Sequence, residues 1–255
     1  MRWFTLLSAY TRQSFLQWWA HRSFLFTLVV NQAIAPFLGL AVWSVALPDR
    51  TDISAYYIAL LATQLLTVSY EYHTVTVGIY EGSMTDILLR PHQAFLAPLG
   101  ESTAVRIWHF LVGVPVIVLA VLVTKTSFIF GDVLAALPAL LLAALLRFLF
   151  VYMLALSALW IQQAGAVTEY GTTAIFLLGG MAAPIMVFPP GLRSIVEVLP
   201  FRAMLGFPAE VASGGLSSAQ VLAGYGVQLL WMALMLGMAS WVWSRGVRHY
   251  TAVGG

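Results

Sequence analysis

Six long apolar stretches, separated by short polar links, constrain this chain more than any other feature. They run Ser23–Leu47, Ile53–Val77, Ser102–Thr124, Val133–Gln162, Val167–Phe188 and Ser218–Ser244. Each is long enough to cross roughly 30 Å of hydrocarbon as a helix. The fourth exceeds one perpendicular crossing and is expected to tilt or to project beyond the lipid. Only 9% of the 255 residues are charged, where a soluble protein carries about a quarter. The expectation is an all-α integral membrane protein with six transmembrane helices. Residues 1–255 then form one domain, without repeat, linker or low-complexity segment.

The same composition excludes several activities. The chain has no cysteine, so disulfides, thiol catalysis and Cys-ligated metals are out. The net charge of +2 is spread along the sequence and offers nothing to nucleic acid. No Gly-x-Ser-x-Gly, His-Glu-x-x-His or P-loop occurs, so neither hydrolytic chemistry nor ATP binding of the P-loop kind is expected here. His21, His73, His92, His109 and His249 share no metal-ligand spacing, and His109 reads as a hydrogen-bonded packing residue. Residues Met1–Arg22 lack the compact core and cleavage site of a signal peptide. Their tryptophans, phenylalanines and arginines make up an interfacial helix at the lipid headgroups, with the start of the first span as the alternative. With the N-terminus inside, seven Arg/Lys fall on the cytoplasmic side against four outside, which favours both termini cytoplasmic.

One polar island breaks the pattern. Gly78–His92 has Ser83 and Asp86 at capping-box spacing, an apolar Ile87-Leu88-Leu89 face, Arg90 at the helix end and Pro91 as a stop. This predicts an amphipathic helix of about two turns, too short to span, lying at the cytoplasmic surface as a handle for another protein. Of the charges in the apolar stretches, Glu71 and Arg147 are the two read as lying inside the lipid zone, with Arg106 assigned to the cytoplasmic side. A guanidinium at that depth costs a few kcal/mol on insertion scales and must face protein or water. Arg147 then either lines a polar substrate path or locks helices through carbonyls, Glu71 or a second subunit. Glu71 is water-exposed at the inner membrane edge or ties its span to the island. The link at 189–217, punctuated by Pro189, Pro200 and Pro208, predicts short helices re-entering the outer leaflet and packed on the fifth and sixth spans. In this reading it is either a gate, with Phe201 and Phe207 as plugs and Arg202 and Glu210 at a wet rim, or a passive cap.

Together, these features resemble the permease subunits of type-2 ABC exporters. Tyr80, Glu81-Gly82 and Leu88-Leu89-Arg90-Pro91 resemble that family's coupling helix. Phe188-Pro189 and Leu199-Pro200-Phe201 resemble its outer signature, and Arg245–Gly254 is similar to the tail of the bacterial multidrug or antibiotic-export branch. The resemblance implies a plasma-membrane permease docked through Tyr80–Pro91 on a cytosolic ABC ATPase. That ATPase, not this chain, holds ATP and Mg, and a second permease, a copy or a sibling, completes a dimer. The cargo is then lipophilic or amphipathic, a drug, antibiotic, lipid or peptide, moved outward along an apolar path by spans two and five. An ion-coupled secondary transporter and a non-transporting membrane scaffold stay open as alternatives.

Overall fold

The structure is a computed structural model that describes residues 2–50, 52–89 and 94–250. All regular elements among them are helical. The first helix, α1 (Arg2–Ala20), turns at His21 into α2 (Arg22–Ala46). It lies along the start of the later helix α6 (Leu96–Thr124), where Phe15 stacks on Trp108 with ring centres 4.9 Å apart. Most of its remaining surface is exposed, which suits a headgroup layer.

Four passages are long and apolar enough to cross a membrane unaided: α2, α6, α7 (Phe130–Ala155, continued by a 3-10 turn to Leu159) and α12 (Ser218–Gly246). The other two apolar stretches run the length of the bundle as broken helices. The second begins as α3 (Asp52–Thr67), unwinds at 68–70, forms a π-helical turn over Tyr72–Thr76 and ends in α4 (Val77–Tyr80). Its α3 section is about 24 Å long at 1.5 Å per residue, short of the hydrocarbon thickness. The fifth is α8 (Ala164–Leu178), which stops at Gly179-Gly180, well before the expected Phe188. Gly180 sits at φ 94, a conformation open to glycine and strained for other residues.

Loose backbone inside lipid must find partners in protein, and here it does. The carbonyls freed after α8 accept from the Tyr56 hydroxyl (to Gly180, 2.8 Å), the Tyr57 hydroxyl (to Met181, 3.4 Å) and the Trp43 indole (to Ala182, 3.0 Å). Helix α3 is the centre of the bundle, with Tyr56, Tyr57, Ile58, Leu60, Leu61 and Leu65 buried. The chain's own helices therefore cover most of the surface of α3.

The segment after α8 forms α9 (Pro190–Val198), α10 (Pro200–Met204) and α11 (Gly206–Ala212). These fold back into the bundle as expected: α11 packs mainly on α3 and α7 and, through Phe207 against Gly224 and Tyr225, on the sixth span, while α10 reaches α7, α8 and α12. The reason is shape. Ala209 lets α11 close on α3, Gly206 lets it approach the Gly179 carbonyl at the end of α8, and Ala136 and Ala139 of α7 with Gly224 of α12 leave a slot for Phe207.

Candidate functional site

At one end of the bundle the island Gly78–Leu89 is held against three other parts of the chain. Its helix, α5 (Met84–Leu88), is a little over one turn, shorter than expected. The capping box does not form: Ser83 turns its hydroxyl back to the Gly78 carbonyl (3.3 Å), and the Asp86 amide bonds the Ser83 carbonyl (3.2 Å). Position is set by side chains instead. The Tyr80 hydroxyl donates to the Ile161 carbonyl (2.8 Å) and accepts from the Ala164 amide (3.2 Å), pinning the island to the α7–α8 link. Tyr250, from the C-terminal tail, donates to the Gly82 carbonyl (3.1 Å) and bonds the Thr85 hydroxyl (3.0 Å). Met84 is buried and Leu88 half-buried in the same core as Val75, Ile79 and Ala164. Glu81, Asp86 and Leu89 face outward, Leu89 with 79% of its surface exposed. Arg90, Pro91 and His92 lie outside the described residues. The middle of α1 (residues 10–17), the island and the tail share this end of the bundle, and the α9–α11 segment occupies the opposite one.

A polar cluster lies deeper, around the break in α3. Arg147 is buried and faces protein, donating to the Gln64 side-chain oxygen (2.8 Å) and the Thr67 hydroxyl (2.9 Å). Gln64 in turn donates to Gln32, whose amide donates to the Tyr70 hydroxyl (3.1 Å). Arg106, from α6, donates to the Val68 carbonyl (3.0 Å), the Ser69 hydroxyl (3.0 Å) and the Ala144 carbonyl (2.9 Å). Two guanidiniums thus satisfy the backbone and side chains that the α3 break exposes, a use for charge at membrane depth. The Arg147 bonds join α7 to α3 through Gln64 and Thr67, and none goes to Glu71. Glu71 is not water-exposed. It is 2% exposed and neither carboxylate oxygen has a hydrogen-bond partner. His109 bonds the Val105 carbonyl within its own helix (2.9 Å), as a packing residue does.

Sequence reasoning missed Arg106, Gln32 and Gln64 in this cluster. In the sequence Arg106 reads as a cytoplasmic surface charge, and the one signal against that is its place four residues inside an apolar stretch. With Arg106 and the buried Arg202 removed, six charges against three remain, and the orientation bias keeps its sign.

At the opposite end, Arg202 and Glu210 depart from the wet rim expected of them. They form an ion pair at 2.5 Å with side chains only 11% and 9% exposed. The turn at Leu205 folds α10 onto α11 and brings the two together. Phe207 is 1% exposed, with Arg202 over its ring at 5.7 Å and the Tyr225 ring edge-on at 5.4 Å. Phe201 is half-buried against Phe150. Pro189 caps the start of α9, and Pro200 opens α10 in its first turn. Packed this tightly, Phe207 fills part of the chain's own core.

No curated protein and no solved structure matches the chain. One family model does, that of the ABC-2 family transporter proteins, over residues 19–254. That span takes in the broken second and fifth passages, the island and the α9–α11 segment. The chain belongs to the ABC-2 transporter family and is the membrane-embedded permease component of an ABC transporter.

Proposed function

We propose that this chain is the transmembrane subunit of an ATP-driven export complex, with six crossings and both termini in the cytoplasm of a bacterial cell. ATP is hydrolysed on a separate ABC ATPase that grips the island at Tyr80–Pro91. A second permease, identical or a sibling, completes the pathway, and the cargo is lipophilic or amphipathic.

The observation that carries this reading is the island itself. It is a short helix clamped by the tail and by the α7–α8 link, with the middle of α1 alongside, and it presents Glu81, Asp86 and Leu89 outward. Coupling requires contacts that differ between two states of a partner, and a rigid surface element can transmit them. Its clamps run to the α7–α8 link and to the tail, so force on the island reaches three passages at once.

Leu89 is the probe of choice, because Leu88 packs inward and a charge there would disturb the fold itself. Leu89→Arg is expected to keep the permease monodisperse in mild detergent while abolishing co-purification of the ATPase and cargo-stimulated hydrolysis. If the ATPase still co-purifies and hydrolysis is still stimulated, the island is not the coupling element.

A further inference from the structure

Two cavities lie side by side beneath α1 and share Thr74, Pro98 and Glu101 as a common wall. The inner one, about 190 Å³, is lined by Trp18, Phe24, Tyr70, Glu71, Glu101 and Ser102 among others. The outer one, about 390 Å³, runs from Glu101 past Gln13 and Gln17 to Ser83 and Asp86 of the island.

Three carboxylates therefore mark this path, and among the described residues no basic side chain lines either cavity. The nearby arginines, Arg106 and Arg147, direct their hydrogen bonds to α3 and α7. Glu71 is 2% exposed and neither of its oxygens accepts a hydrogen bond, in a wall where Thr74, Glu101 and Ser102 stand beside aromatic and aliphatic side chains. A buried carboxylate without donors is costly, and a ligand that brings a positive charge relieves that cost. Among the described residues no group of three His, Asp or Glu side chains is placed to hold a metal ion. Indole and phenol faces beside carboxylates suit an organic cation instead, through ring-quadrupole attraction and charge together.

The geometry points to a binding site for an organic monocation, with its ammonium group between Glu71 and Glu101 and its apolar part against Trp18, Phe24 and Tyr70. The ammonium belongs either to a free amphipathic amine or to an aminophospholipid headgroup. This deepens the transport reading and rests on it for the role of the bound cation as cargo. Because the outer cavity ends on Ser83 and Asp86, occupancy and the ATPase contact share one wall.

The test uses the full chain in nanodiscs of phosphatidylglycerol, without ATPase or nucleotide, so that its result is independent of the Leu89→Arg experiment. Radiolabelled benzyltrimethylammonium is the probe and neopentylbenzene its uncharged isostere. Saturable binding is expected, weakened about tenfold or more by Glu101→Gln and by Trp18→Leu, and not competed by neopentylbenzene. Both residues are on accessible walls, so these variants avoid the folding risk of Glu71→Gln, which is run alongside. Weaker probe binding in discs containing phosphatidylethanolamine assigns the site to a lipid headgroup, and unchanged binding assigns it to a free amine. Absent saturable binding, indifference to Glu101→Gln, or equal competition by neopentylbenzene overturns the proposal.

Discussion

Removing Glu210 should cost this protein far more than removing Glu210 and Arg202 together. The two side chains are 11% and 9% exposed and meet at 2.5 Å, so neither charge is solvated once its partner is gone. Two unit charges about 4 Å apart attract by about 4 kcal/mol at an effective dielectric of 20, offset by several kcal/mol of desolvation. The intact pair therefore contributes little net stability, whereas Glu210→Ala strands a buried guanidinium at a cost of about 3–5 kcal/mol. Arg202 also sits over the Phe207 ring at 5.7 Å, a contact of about 0.5–2 kcal/mol that Arg202→Met loses. For a domain of this size the single variant should melt roughly 6–20 °C lower. The double variant Arg202→Met, Glu210→Leu should recover most of that difference. Thermal unfolding in detergent, followed by loss of the monodisperse peak, reads both in one double-mutant cycle. If Glu210→Ala shifts the melt by less than a degree or two, or if the double variant is as unstable as the single, the buried-pair reasoning is wrong.

Four further outcomes follow from particular contacts. Single cysteines at Ser83, Asp132, Gln163, Ser213 and Thr251, treated with an impermeant maleimide in intact cells, should react only at Asp132 and Ser213; labelling at Ser83 would reverse the topology. A methyl group on Gly224 would run into the Phe207 ring, so Gly224→Ala should cost about 1–3 kcal/mol, read as a lower melting temperature. Arg147→Lys should be nearly as damaging to purified yield as Arg147→Ala, because one ammonium does not reproduce a planar fork that reaches Gln64 and Thr67 together. Tyr80→Phe removes the hydroxyl that bridges Ile161 and Ala164, and should cost about 0.5–1.5 kcal/mol and speed amide exchange across the α7–α8 link.

Much of the fold was legible in the chain because lipid imposes a length and a polarity on every crossing. The long helices α2, α6, α7 and α12 fall within a few residues of their apolar stretches, apart from the inner end of α6, which begins at Leu96 rather than Ser102. The proline-punctuated segment folds back into the bundle for the same reason: exposed amides are not tolerated in hydrocarbon. The family resemblance was equally visible, carried by the order of elements.

What the sequence alone could not decide was which polar groups meet. Arg202 and Glu210 stand eight residues apart on different helices and become partners only because the chain turns at Leu205. Arg106 reads as one more positive charge until α6 packs on the unwound stretch after Thr67 and the Val68 carbonyl needs a donor. Ser83 and Asp86 have the spacing of a cap, yet tertiary contacts from Tyr80 and Tyr250 position the island and leave Ser83 to bond Gly78. Hydropathy is a property of a segment and can be read along the chain. A buried hydrogen bond is a property of two segments, and only their packing determines it.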